Sequence, residues 1–276
     1  MLEDSLRLPS GSFAVIDIHA INPLYSVSGL LVGVLVGVTG VGGGSLMTPI
    51  LILLFGVHAT TAVGTDLLYA SITKSFGTLV HGHNDAVDWR IVRRLASGSI
   101  PATILTLAIV FDLGAESHNS DDVISTVLGI ALILTAITLV FRKWLLEHLA
   151  TYLERLSDHQ IRILTVVLGA LLGTLVSLSS VGAGAIGVTA LLMLYPKLQT
   201  VRIVGSDIAH AVPLTLIAGA GHWLLGSVDW SLLVSLLIGS VPGIALGSQL
   251  ASRVPDRVLR PVLAGTLAVI GAKLAV

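Results

Sequence analysis

Six stretches of the chain contain no Asp, Glu, Lys or Arg and are rich in apolar residues: 18–65, 95–111, 123–141, 163–196, 208–228 and 230–252. A helix needs about 20 apolar residues to cross the hydrocarbon core of a bilayer. Four of these stretches are therefore long enough for one crossing each, and the two longest can hold more than one. The pattern predicts an all-α polytopic membrane protein.

The second half of the chain repeats the first at a shift of about 140 residues. The matches are Val41-Gly42-Gly43-Gly44 with Val181-Gly182-Ala183-Gly184, Gly64-Thr65-Asp66 with Gly205-Ser206-Asp207, His81 with His222, Val87-Asp88-Trp89 with Val228-Asp229-Trp230, and Gly98-Ser99-Ile100-Pro101 with Gly239-Ser240-Val241-Pro242. Identity in this order indicates a duplicated unit. We expect an N-terminal tail at 1–23, a first transmembrane repeat at 24–141, a cytoplasmic linker at 142–160 and a second transmembrane repeat at 161–276.

Each repeat is predicted to contain five helical segments. The segments are 24–39, 43–56, 59–81, 92–111 and 122–141 in the first repeat, and 161–178, 183–195, 201–222, 231–250 and 258–276 in the second. The second segment of each repeat has about 13 residues, or ~20 Å of helix, which is short for a full span. We expect it to be a half-helix or one arm of a re-entrant hairpin.

Basic residues are confined to alternate loops between the predicted segments. Loops 82–94, 142–160, 196–201 and 251–257 contain Lys or Arg, whereas 112–121 and 223–230 contain neither. Because basic loops stay in the cytoplasm, the first group is expected inside and the second outside. This requires the two repeats to be inverted relative to one another, with both termini outside. Inverted repeats with breaks in corresponding helices are typical of secondary transporters.

Composition supports the membrane assignment and excludes several other classes. Hydrophobic residues make up 54% of the chain and charged residues only 11%, against roughly a quarter charged in an ordinary soluble domain. The net charge of −1 gives no reason to expect a nucleic-acid partner. Cysteine is absent, which excludes disulfides and a thiolate nucleophile. The expected partners are the lipid bilayer and a small anionic substrate, and a homodimer remains open.

Two glycine-rich breaks are the main candidates for substrate binding. The candidate residues are Thr39, Gly42, Gly43, Gly44 and Ser45 in the first break, and Ser179, Ser180, Gly182, Ala183 and Gly184 in the second. Unpaired backbone is tolerated at membrane depth only where it is buried in protein or lines a wet cavity. The helix that starts after each break presents free N–H groups and a positive dipole end, which favour an anion. Close helix packing is the alternative role for such glycines.

Asp66 and Asp207 occupy equivalent positions in the two repeats. Charged groups within membrane spans are costly, so they are functional candidates. Lys74 follows Asp66 by two helical turns and projects from the same side, and His210, one turn after Asp207, could share its proton. We expect these four residues to couple the substrate to protons or another ion. A structural ion pair, or a Lys74 that extends to the interface, is the alternative.

With these motifs, the sequence resembles the TauE/SafE family of sulfite exporters and toluene sulfonate uptake permeases. The likeness covers nearly all of residues 24–276, and its best-marked feature is Gly40-Val41-Gly42-Gly43-Gly44-Ser45. The resemblance implies a carrier of a small sulfur-containing anion, such as sulfite or sulfoacetate, in the bacterial inner (cytoplasmic) membrane. Many members carry Ser where this chain has Asp66, so the resemblance assigns that carboxylate no role.

Two alternatives to an anion carrier remain open. A divalent-metal carrier, suggested by nine histidines, would need several His or carboxylate ligands at one depth. An intramembrane enzyme could use Asp66 and Asp207 as an acid/base pair, although the duplication favours a carrier. No cofactor, metal site or catalytic residue is expected. The glycine cluster lacks the Gly-Lys-Ser/Thr of a phosphate loop, so transport should be driven by gradients or by an ATPase on another chain.

Overall fold

The computed structural model describes residues 23–39, 44–83, 87–112, 118–153, 156–182, 184–250 and 256–275. These residues form helices and no strand: α1 (Pro23–Thr39), α2 (Gly44–Phe55), α3 (Ala59–His83), α4 (Trp89–Asp112), α5 (His118–Leu153), α6 (Asp158–Ser179), α7 (Ala185–Leu194), α8 (Thr200–Leu224), α9 (Trp230–Leu250) and α10 (Asp256–Ala275). The all-α fold is confirmed. Each predicted segment corresponds to one helix, and the ends agree within a few residues everywhere except at α5.

The described helices include several that are long enough to span a membrane and two that are much shorter. Within the described ranges, five helical stretches are long and apolar enough to cross a membrane: Trp89–Asp112, Asp121–Leu149, Asp158–Ser179, Thr200–Leu224 and Trp230–Gly247. By contrast, α2 has 12 residues and α7 has 10, which corresponds to roughly half of the ~30 Å hydrocarbon thickness. The chain is therefore a multi-pass membrane protein with a short second helix in each repeat, as predicted.

The predicted linker at 142–160 is largely helical. Helix α5 continues through it to Leu153, and side chains one turn apart support the extension. Lys143 Nζ lies 3.8 Å from Glu147 Oε1, and the rings of Trp144 and His148 stack with centroids 5.0 Å apart. Pairs at this spacing stabilise a helix even where it is polar. The change in polarity at 142 thus marks the end of the apolar span and not the end of the helix.

The first helix of each repeat packs against the fourth helix of the other repeat. Helix α1 lies on α9, and α6 lies on α4. Close backbone approaches include Gly29 on Leu236, Gly33 on Ser240, Gly169 on Leu95 and Gly173 on Ser99, and a Cβ at any of these glycines would overlap the facing backbone. The two sets are equivalent under the repeat shift, and such reciprocal contacts are what a two-fold axis produces. The orientation of the repeats relative to the membrane stays a prediction.

The Val-Asp-Trp motif of each repeat is hydrogen-bonded to the Gly-Thr/Ser-Asp motif of the other repeat. The Asp88 N–H donates to Ser206 Oγ at 2.8 Å, and the Asp229 N–H donates to Thr65 Oγ1 at 3.0 Å. Both aspartate side chains also accept a backbone N–H from the first turn of the following helix, at 3.0 Å and 2.9 Å respectively, as N-cap residues do. The hydroxyl of each Gly-Thr/Ser-Asp motif therefore holds the start of a helix from the opposite repeat.

We expect Gly98→Leu to lower the melting temperature of the protein by several degrees. A Cβ at Gly98 would overlap the Val166 carbonyl oxygen and lie 2.9 Å from the Ala170 nitrogen, both on α6. Overpacking of this kind costs about 1–3 kcal/mol. Thermal unfolding of the purified chain in detergent measures the effect. Gly265→Leu is the matched control, because a Cβ at Gly265 has nothing within 4 Å. Equal melting temperatures for the two variants would contradict the prediction.

Candidate functional site

The structure describes the second glycine break much more fully than the first. Helix α1 ends at Thr39 and α2 begins at Gly44, so the first break lies between them. Gly42 and Gly43 lie outside the described residues, as do the side chains of Thr39 and Ser45. Ala183 of the second break is also outside them. The predicted role of these positions in substrate binding stays a prediction.

The second break is a buried turn with left-handed backbone. Helix α6 ends at Ser179, and Ser180 follows with φ 56°. Gly182 and Gly184 have φ values of 119° and 133°, a region that a Cβ disfavours. Helix α7 starts directly after Gly184. The N–H groups of Ala185 and Ile186 have no partner within the helix itself, whereas the Gly187 N–H donates to the Gly182 carbonyl at 3.2 Å. The break thus presents a helix N-terminus inside the protein, as the sequence predicted.

The two serines of this break have different surroundings. Ser179 Oγ donates to the Leu175 carbonyl at 2.6 Å and accepts the Val181 N–H at 3.2 Å. Ser180 Oγ is buried, has no hydrogen-bond partner among the described residues and lies beside Asp66. Ser179 therefore stabilises the turn, whereas the Ser180 hydroxyl is directed toward Asp66.

Asp66 connects the short helix of its own repeat with the break of the other repeat. Thr48 on α2 donates its hydroxyl to Asp66 Oδ2 at 2.5 Å. Ser180 lies on the other side of the carboxylate, and Oδ1 is buried without a partner in the described part of the chain. The carboxylate is fully buried. A buried charged group is costly unless it is paired, so one face of Asp66 is poised to take a proton or a polar ligand.

Asp207 occupies the equivalent place in the second repeat. Its Oδ1 lies so close to α7 that a Cβ at Gly187 would overlap it. This oxygen is also buried and has no hydrogen-bond partner within the described ranges. Each of the two aspartates therefore lies against the short second helix of its own repeat, and a glycine at 187 makes that approach possible.

Helices α3 and α8 cross the interior in antiparallel directions. A Cβ at Gly64 would lie 2.9 Å from His222 Cβ, and a Cβ at Gly219 would lie 3.0 Å from the Leu68 nitrogen. As the residue number rises along α3, the facing residue number on α8 falls. The first half of α3 is therefore level with the last turns of α8.

This crossing places the backbones of the two aspartates at different levels along the α3–α8 pair. Asp66 is level with residues 219–222 of α8, and Asp207 lies twelve residues before Gly219, which corresponds to roughly 18 Å along the helix. Lys74 lies eight residues after Asp66 on α3, between the two levels. Its ammonium group interacts electrostatically with Asp207 and with Asp66. The structure thus brings Asp66, Lys74 and Asp207 into one interior column.

His210 faces Ser99 on α4, with His210 Nε2 2.8 Å from Ser99 Oγ. At the equivalent position of the first repeat, the Tyr69 hydroxyl faces Ser240 on α9, but the two hydroxyls are not hydrogen-bonded to each other. Both rings follow the aspartate of their repeat by three residues, and both serines lie in the matched Gly-Ser-Ile/Val-Pro motif. Sequence reasoning missed Tyr69 and the two serines. The internal repeat held the signal, because aligning the halves pairs Tyr69 with His210.

Metal coordination finds no support in the part of the chain that the structure describes. No group of three or more His, Asp or Glu side chains there could hold a metal ion. The side chains of His81 and His83 lie outside the described residues. The interior column consists instead of two carboxylates, one ammonium group and a set of hydroxyls.

An all-α multi-pass fold with two short helices, an internal break and buried ionisable groups defines a membrane transporter. The chain belongs to the sulfite exporter TauE/SafE family, whose model matches residues 25–274.

Relatives in this family carry transporter names. The chain is 40% identical to the probable membrane transporter protein YjnA of Bacillus subtilis over 89% of its own length and 96% of the relative's. It is 26% identical to YdhB, another probable membrane transporter protein of that organism, over 76% and 82%. A probable membrane transporter protein of Methanocaldococcus jannaschii is 27% identical over 75% and 74%. No solved structure matches the chain.

Proposed function

We propose that the chain is a secondary active transporter that moves a small sulfur-containing anion across the cytoplasmic membrane, coupled to protons or another ion. The anion class is sulfite, sulfoacetate or a related organosulfonate. The observation that carries this proposal is the meeting of the second helix break with Asp66. There the buried Ser180 hydroxyl, which makes no close hydrogen bond within the described ranges, lies beside the carboxylate, and Lys74 interacts with the same carboxylate.

The break has the chemistry that a small oxyanion needs. The N–H groups that begin α7 and the Ser180 hydroxyl are hydrogen-bond donors, and a helix N-terminus favours negative charge. Lys74 supplies a positive charge nearby. A sulfite or sulfonate group presents several acceptor oxygens in a small volume, so backbone and hydroxyl donors can bind it without an arginine.

The two aspartates give this site a means of coupling. A second negative charge next to a buried carboxylate is unfavourable unless a proton or a cation accompanies it. The backbones of Asp66 and Asp207 lie at different levels along the α3–α8 pair, so a cavity that opens alternately to the two sides exposes a different carboxylate each time. Proton uptake at one level and release at the other would couple the anion to the proton gradient.

The same geometry weakens the enzyme alternative. An acid and a base that act on one substrate must both lie within hydrogen-bond reach of it. Asp66 and Asp207 are separated by roughly 18 Å along the helix axis, and Lys74 lies between their levels. The pair suits two steps of a transport cycle better than one chemical step.

Uptake of labelled sulfite into proteoliposomes tests the proposal. We expect saturable uptake that an imposed proton gradient increases and that excess sulfoacetate inhibits, with protein-free liposomes as the control. Uptake of labelled divalent manganese or zinc is measured in the same vesicles. Metal uptake without sulfite uptake would establish the metal-carrier alternative and refute the anion proposal.

A further inference from the structure

A strongly basic cavity lies where α4 and α6 begin, and its lining includes none of Asp66, Lys74 and Asp207. It has a volume of about 280 Å³ and is lined by Arg90, Arg93, Arg94, Ser97 and Arg162. Arg94 donates through Nη1 to Tyr195 Oη at 3.2 Å, and its Nη2 lies 3.3 Å from Oδ2 of the exposed Asp158. Four arginines thus line one cavity whose lining contains no carboxylate, and among the described residues Asp158 and Asp88 lie beside Arg94 and Arg90 respectively. The excess of positive charge makes the cavity an attractive site for an anion.

The counterpart of this helix pair in the other repeat has no arginine at the equivalent positions. Helix α9 is the counterpart of α4 and packs on α1 through the equivalent glycine contacts. The positions on α9 that correspond to the three arginines of α4 are Ser231, Val234 and Ser235. The same type of helix pair therefore forms there without arginine, and only Arg94 of this cluster makes a side-chain contact with Asp158 on α6 in the described part of the chain. The preference of basic residues for the cytoplasmic side explains their sign, but it does not explain their convergence on one cavity.

An exposed apolar surface extends from this cavity along both helices. On α6, Ile163, Val167 and Leu171 are exposed at intervals of four residues directly after Arg162. On α4, Ile104 is exposed two turns after Ser97. Residues at this spacing share one helix face. A ligand that fits here has an anionic head and apolar chains.

We propose that this cavity binds the phosphate head group of an anionic phospholipid, such as phosphatidylglycerol, with the acyl chains on the exposed faces of α4 and α6. Arginine binds phosphate oxygens through paired N–H donors, and basic pockets between membrane helices recognise anionic head groups. The volume is at the lower end of that of small-molecule sites, which run from ~300 to 1,000 Å³, so it fits a head group better than a nucleotide. Free phosphate shares the charged contacts but not the apolar ones.

Native mass spectrometry of the full chain in detergent, with added phosphatidylglycerol or phosphatidylcholine, tests this site. We expect phosphatidylglycerol to bind at least about tenfold more tightly, and the double variant Arg93→Gln/Arg162→Gln to lose most of that difference, because hydrogen bonds to charged groups are the stronger ones. The matched control is Lys143→Gln/Lys197→Gln, which removes two positive charges from other basic segments and should leave lipid selectivity unchanged. Thermal unfolding with inorganic phosphate is measured alongside.

Three outcomes would overturn the proposal. If both double variants lose selectivity equally, general surface charge attracts the lipid and the cavity has no special role. If inorganic phosphate raises the melting temperature as much as the lipid does, the site takes a free anion. If the arginine double variant keeps the tenfold preference, the cavity is not the binding site. Should that variant fail to fold, Arg162→Gln alone, at an exposed position, replaces it, with an expected loss of about threefold.

Discussion

Asp66→Asn and Asp207→Asn are each expected to abolish accumulation of sulfite against its gradient, while downhill exchange of the anion continues. Asparagine keeps the size and the hydrogen-bonding capacity of the side chain but cannot ionise. Thr48 can still donate to the amide oxygen at position 66, so the contact with α2 survives. Accumulation under an imposed proton gradient should therefore fall to the protein-free level. Counterflow of labelled sulfite in the same vesicles reports exchange.

A matched aspartate and the neighbouring lysine make this test specific. Asp122→Asn, at an exposed position on α5, removes the same charge outside the interior column and should transport like the parent. Lys74→Met should weaken anion binding if the ammonium group faces the anion. If both buried Asn variants still concentrate sulfite as well as the parent, the aspartates are structural, and coupling must be sought first at His210.

Gly184→Leu is expected to abolish transport while the protein still inserts into the membrane. Gly184 has φ 133° and ψ −81° at the N-terminus of α7, and a residue with a Cβ held in such a region costs of order 1–3 kcal/mol. Relief of that strain would move the first turn of α7, and with it the backbone donors beside the proposed anion site. Labelled sulfite uptake is measured together with the yield and the elution profile of the purified variant.

Gly226→Leu is the control for backbone strain at a position outside the proposed anion site. Gly226 also has a left-handed φ, of 77°, but a Cβ there has nothing within 4 Å. This variant should lose some stability and keep its transport rate. The repeat predicts the same loss of transport for Gly43→Leu in the first break, at a position outside the described residues. Normal transport by a well-folded Gly184→Leu protein would show that the second break is a packing feature only.

Sequence alone determined the helices and the duplication of this protein. Lipid cannot satisfy backbone N–H and C=O groups, so an apolar stretch in a membrane must become a helix. The uncharged stretches of sequence therefore predicted the ends of helices such as α4 and α9 to within a few residues. The exception was α5, whose polar extension beyond residue 142 is still helical, because a helix can continue past the edge of an apolar span.

Only the tertiary structure decided which side chains meet. Periodicity indicates which residues share one face of a helix, but it does not indicate which neighbouring helix covers that face. His210 was predicted to share a proton with Asp207, which stays a prediction, and only the structure shows that its Nε2 faces Ser99 on α4. Asp66 and Asp207 occupy equivalent positions in the two repeats. The antiparallel crossing of α3 and α8 nevertheless places their backbones at different levels along this helix pair. That separation follows from the packing of α3 on α8, where glycines let backbones approach closely, and the residues that meet there, such as Gly64 with His222 and Leu68 with Gly219, are far apart in the chain.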